Sequence, residues 1–138
     1  MYATTDIQYG GKLHIKVKEA RLFRDTEMFG KMDPYVILEF REHKFRTKTH
    51  ESGGKNPRWH DEFELKINDL RDEMKFTVYD EDPGSDDKVG YGVVKMSALC
   101  INHGVTDWFS IYHDNKPAGQ VLFETRYVEE QKEIIMIQ

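Results

Sequence analysis

A chain of 138 residues has the length of one ordinary domain, and 38% hydrophobic with 12% aromatic content supports a real core. A formal net charge of -5 argues against general nucleic-acid binding, which draws its affinity from neutralised phosphates. One cysteine, Cys100, excludes an internal disulfide, and neither a leader-like start nor an apolar run longer than Ile134 to Ile137 is present, so the expectation is a soluble, cytosolic protein.

Most of the chain alternates with a period of two, the mark of strands with one buried face. In "KLHIKVK" Leu13, Ile15 and Val17 alternate with His14, Lys16 and Lys18. "YVILEF" offers Val36, Leu38 and Phe40, and "KFRTKTH" sets Phe45, Thr47 and Thr49 against Lys44, Arg46, Lys48 and His50. "EFELKI" and "MKFTVYD" follow, then "VGYGVVKM", a weaker strand whose glycines at 90 and 92 suggest a bulge or close packing. "SALC" has room for a helical turn, and "DWFSIYH" and "QVLFETRY" complete eight predicted strands. Turn residues separate them: Gly30 and Pro34, Ser52-Gly53-Gly54 with Asn56-Pro57, Pro83-Gly84, and Asn115 to Gly119. Eight antiparallel strands without long helices predict an all-β, eight-stranded antiparallel β-sandwich, since two half-apolar sheets must cover each other. The predicted division is an N-terminal extension over 1–10, a sandwich over 11–127 and a C-terminal tail over 128–138. "VEEQKEIIMIQ" combines good helix formers with an apolar cluster, and it reads as a helix towards a partner or as a frayed end.

Two acidic stretches carry the chemistry. "VYDEDPGSDDKVG" packs Asp80, Glu81, Asp82, Asp86 and Asp87 into eight residues directly after a predicted strand. Carboxylates this crowded must hold a proton or find a cation. "FRDTEMFGKMDPYV" adds Asp25, Glu27 and Asp33 in another turn-rich loop. Hard oxygen donors on two flexible loops suit Ca²⁺ better than Mg²⁺, and Zn²⁺ lacks neighbouring His or Cys.

The order "LFRDTEMFGKMDPYV", "TKTHESGGKNPRWHDEFEL", "VYDEDPGSDDKVG" resembles the C2 domain, the calcium- and phospholipid-binding module of protein kinase C and the synaptotagmins, from about Gly11 to Tyr127. The resemblance implies a Greek-key sandwich with Ca²⁺ sites between loops at one end. The strand order is similar to the circularly permuted type II variant. Carried over residue by residue, the implied carboxylate ligands are Glu27, Asp33, Asp80, Asp82 and Asp87, joined by the backbone oxygens of Thr26 and Glu81. Asp80 and Asp82 fit a bridging role. Glu27 stands where the family usually has Asp, and the second acidic loop looks one residue short, which leaves Ser85 and Asp86 without roles. Two ions are expected, with a third in doubt.

Two dications would take the loops from about -5 to about -1, and a third to about +1, relieving the repulsion of anionic lipid while lipid phosphate oxygens complete the ions' shells. Met28 and Phe29 crown the first loop, to insert into a membrane or to fold back onto the sandwich. Arg46 and Lys48 match the family's headgroup-binding strand, yet Ile37 and Glu39 stand where lysines would help on its neighbour, so a merely solvated face is the competing reading. The expected function is Ca²⁺-dependent phospholipid binding in signalling or membrane trafficking, by a monomer that is cytoplasmic and joins the membrane when calcium rises. The rival is a Ca²⁺-independent scaffold that binds proteins, the tail among its contacts. No enzyme is expected. An EF-hand fails because the twelfth position from Asp80 is Tyr91, no G-x-S-x-G occurs, and Cys100, Trp59 and Trp108 read as packing residues.

Overall fold

In a computed structural model the backbone is described for residues 3–137 and the side chains for residues 10–130. The expected extension and tail fall partly outside these limits: Met1, Tyr2 and Gln138 lie beyond the described residues. Eight strands run in chain order: β1 (Ala3–Leu22), β2 (Pro34–Phe40), β3 (His43–Arg46), β4 (Arg58–Ile67), β5 (Glu73–Asp80), β6 (Asp87–Lys95), β7 (Thr106–His113) and β8 (Lys116–Ile137). A single helical turn, α1 (Met96–Cys100), follows β6 at the expected "SALC".

All strand pairs are antiparallel, in the order β3-β2-β5-β6-β7-β8-β1-β4. Between β6 and β7 the register holds only the pair Tyr91↔Tyr112. Four strands lie on each side of that thin seam, and their apolar faces share one core. Leu13, Ile15 and Val17 of β1 point into it and are fully buried, as the alternation requires. Phe76 of β5 meets Phe123 of β8 edge to face, with ring centroids 5.1 Å apart. Cys100 is buried in the core, and burial pushes its thiol up to about 11.

The C-terminal tail departs from the helical reading. β8 continues from Lys116 to Ile137 and pairs with β1 down to Ala3↔Ile137, so both ends join one two-stranded ribbon. Good helix formers yield here because the partner strand offers ladder bonds to the inward-facing backbone groups. The third strand is also shorter than its alternation suggests. It stops at Arg46, after which Thr47 turns its hydroxyl to the Val36 N–H (2.9 Å) and to the Lys48 carbonyl (2.8 Å).

Candidate metal centre

The register places two loops side by side. Pro34, the first residue of β2, is the partner of Asp80, the last of β5. The loop before β2 and the loop after β5 therefore leave the sandwich together. Asp33 donates its N–H to Asp80 Oδ1 (2.7 Å), and its carbonyl accepts from the Glu81 N–H (2.9 Å). Pro34 is braced in turn: its carbonyl accepts from Trp59 Nε1 (2.9 Å) and from the His50 N–H (2.9 Å). The N-P-x-W segment thus holds the D-P-Y segment in place, and Trp59 acts as packing, as expected. Gly30 (φ +77°) and Gly84 (φ +94°) turn the tips of the two loops in a conformation that other residues rarely take.

Glu27, Asp80 and Asp82 converge, each offering a carboxylate oxygen within 4.8 Å of the others. Asp80 is 0% exposed, and Thr26 Oγ1 donates to its Oδ2 (2.8 Å). The Glu27 carboxyl hydrogen-bonds to Asp80 and Asp82, and this shared bonding raises its pKa from the ordinary 4.5 to about 8. At Asp82 the Glu27 hydrogen bond acts downward, but the Asp87 carboxyl, desolvation and the Asp80 charge outweigh it, so the net shift is upward. Asp87 thus neighbours Asp82 without joining the Glu27–Asp80–Asp82 convergence. Asp33 contributes differently: its Oδ1 accepts from the Ser52 N–H (2.7 Å), which ties the first loop to the turn after β3.

Carboxyls that must share protons to coexist are a donor set short of positive charge, and hard oxygen atoms at this spacing fit a divalent cation such as Ca²⁺. Around the cluster the first loop presents Met28 at 89% and Phe29 at 86% exposure, so Phe29 does not fold back onto the sandwich. Arg46 is engaged: its guanidinium stacks 3.8 Å over the Tyr35 ring and lies 3.6 Å from Glu81. Lys48 is exposed, with its backbone N–H donating to Asp61 Oδ2 (2.6 Å). On the neighbouring strand Ile37 faces Arg46, and Glu39 pairs with Lys44 (3.5 Å).

Asp86 has a role that sequence reasoning did not supply. It accepts from the Tyr35 hydroxyl and from the Asp82 N–H (3.0 Å), closing the second acidic loop against β2. The Tyr35 bond, followed by the Asp82 N–H, holds Asp86 below the usual carboxylate range. Desolvation and Asp86 raise the Tyr35 phenol. The only sequence signal would have been an acid with no ligand role facing a tyrosine 51 residues away.

Fold and site together define an all-β sandwich domain that carries an acidic cradle between loops at one end. The family model for the C2 domain matches residues 11–111, and the chain belongs to that family. It is 30% identical over 142 residues to Synaptotagmin-4 of Arabidopsis thaliana, a match covering 96% of this chain and 25% of that protein. It is also 30% identical over 135 residues to the Arabidopsis protein named Calcium-dependent lipid-binding protein, covering 89% of this chain and 26% of that one. The chain thus spans about a quarter of the length of these relatives. Among solved structures, a C2 domain of plant Extended Synaptotagmin 1 superposes with a TM-score of 0.75 at 25% identity, covering 85% of this chain and 93% of that one. Among the described residues no helix is long and apolar enough to cross a membrane.

Proposed function

We propose that this domain is a Ca²⁺-dependent module that docks on anionic phospholipid membranes, in signalling or membrane trafficking. The observation that carries the reading is the convergence of Glu27, Asp80 and Asp82 directly beside the exposed Met28 and Phe29. Glu27, Asp80, Asp82 and Asp87 hold the cation, with Asp33 and the backbone oxygens of Thr26 and Glu81 completing the donor set. Two ions fit this charge, and a third is not needed by it. When bound, Ca²⁺ supplies the positive charge that the loops lack and open coordination for lipid oxygen. The residues do the rest. Asp80, fixed by Thr26 and Asp33, sets the position of the cradle. Met28 and Phe29 enter the interfacial region, each adding about 1.5–3 kcal/mol on full burial. Arg46 and Lys48 add positive charge at the flank. The relative named Calcium-dependent lipid-binding protein supports the lipid assignment. The permuted type II topology belongs to the same proposal, supported by the pairing of the first strand with the last. The reading is of a binding module without a catalytic step, peripheral to a cytoplasmic membrane face.

Co-sedimentation with phosphatidylserine vesicles, in calcium and in chelator, tests it. Much stronger pelleting in calcium than in chelator is the expected result. Equal pelleting in both conditions overturns calcium dependence, and no pelleting in either points to the scaffold role.

A further inference from the structure

The end of the sandwich that holds the acidic cradle carries a second feature of opposite charge. β1 ends at Leu22, whose register partner is Gly119, and the Phe23 N–H donates to the Ala118 carbonyl (2.8 Å). This lays Arg24 against the turn between β7 and β8. Arg24, His113, Asp114, Lys116, Pro117 and Ala118 line a cavity of about 270 Å³. Two permanent cations, Arg24 and Lys116, face a single carboxylate there, and Asp114 already lies 3.2 Å from His113 Nε2. Among the described residues neither Arg24 nor Lys116 has a carboxylate partner in an ion pair.

The second observation is a missing acceptor. Arg24 Nε is buried and has no hydrogen-bond partner. Arg24 as a whole is half-buried and lines the cavity, and a guanidinium N–H left without an acceptor calls for a partner nearby. A phosphate oxyanion supplies several acceptors at once and matches a guanidinium fork better than any neutral group. The cavity falls below the roughly 300–1,000 Å³ of pockets for drug-sized ligands, so it suits a phosphate with its first substituent atoms rather than a whole metabolite. Phe23, beside Arg24, is 59% exposed and adds an apolar surface at the rim.

We propose that the Arg24–Lys116 cavity is a phosphate subsite, distinct from the acidic cradle, that takes the phosphodiester of an anionic phospholipid headgroup or free phosphate. It works without a cation in the cradle, so its success or failure is independent of the calcium reading.

The test begins with the full chain in chelator, titrated with inorganic phosphate while the arginine Nε–H resonances are followed by NMR. The Arg24 resonance and the backbone signals of residues 113–118 should shift together. Arg24→Gln and Lys116→Gln should each weaken phosphate binding about tenfold, while Asp82→Asn leaves it unchanged. Lys116 is exposed at the first position of β8, so its variant reads the site even if Arg24→Gln does not fold. Co-sedimentation with phosphatidylserine vesicles in calcium then separates the two sources. A roughly tenfold loss in Lys116→Gln, with unchanged calcium heat, supports the lipid headgroup. Unchanged pelleting alongside lost phosphate binding supports free phosphate. An Arg24 Nε–H that phosphate does not move, with wild-type pelleting in both variants, overturns the proposal.

Discussion

Glu27 holds its proton up to about pH 8 because its carboxyl is bonded to Asp80 and Asp82. An unfolded chain releases that proton near 4.5. The raised folded value means that the contribution of this group to stability is fully present below pH 4.5 and is lost as pH rises through about 8. In chelator, then, the melting temperature should fall between pH 5 and pH 8.5, roughly the span over which the two states differ in protons bound. Millimolar calcium should flatten that slope, and a melting temperature independent of pH in chelator would show that the carboxyls do not share protons. Asp80→Asn should abolish the calcium heat in titration calorimetry. It should not lower the melting temperature in chelator, because the amide keeps an oxygen for the Asp33 N–H and removes one of the mutually repelling charges. Tight calcium binding by that variant would refute the assignment. At this scale the sequence was informative where the chemistry is local. Asp80 and Asp82 are two residues apart at the end of a strand, and their convergence with Glu27 follows from strand order. Asp86 escaped because its partner, Tyr35, is distant in sequence and neighbouring only in space.

The strands were legible for a plain reason: a buried face repeats every second residue, and all eight alternating runs became strands. Their ends were not. "KFRTKTH" alternates beyond Arg46, but the Thr47 hydroxyl competes for the Val36 backbone and ends the ladder. "VEEQKEIIMIQ" shows no clear alternation, and only the matching length of β1 reveals it as a strand. The glycines of β6 report close packing, as the sequence suggested. A Cβ on Gly92 would stand 2.3 Å from the Ser110 carbonyl oxygen and 2.5 Å from Phe76 Cζ. Gly92→Ala should therefore force β6 from β7 at the thin seam and cost about 1–3 kcal/mol, read as a lower denaturant midpoint. A midpoint within error of wild type would mean that the seam opens freely.

Seen whole, the molecule concentrates its unusual features at one end. The chain carries a net charge of -5, and the acidic cradle, the exposed Met28 and Phe29, and the Arg24 cavity all lie where β1, β5 and β7 finish. On the proposed function, such an end would meet a membrane as a unit. Phe29→Ala should weaken vesicle binding in calcium by about 1.5–3 kcal/mol, roughly tenfold to a hundredfold, without changing calcium heat in the absence of lipid. Undiminished pelleting would place Phe29 outside the membrane.

The opposite end has a mechanical meaning. Ala3 and Ile137 are partners in the last rung of the ribbon, so tension drawn through both would part the rungs one after another, as a zipper opens. The layered body beyond Gly11, braced by β4 on its flank, would feel little of that load. The ribbon is thus a yielding stem on which the cradle-bearing end can be pulled without being torn apart.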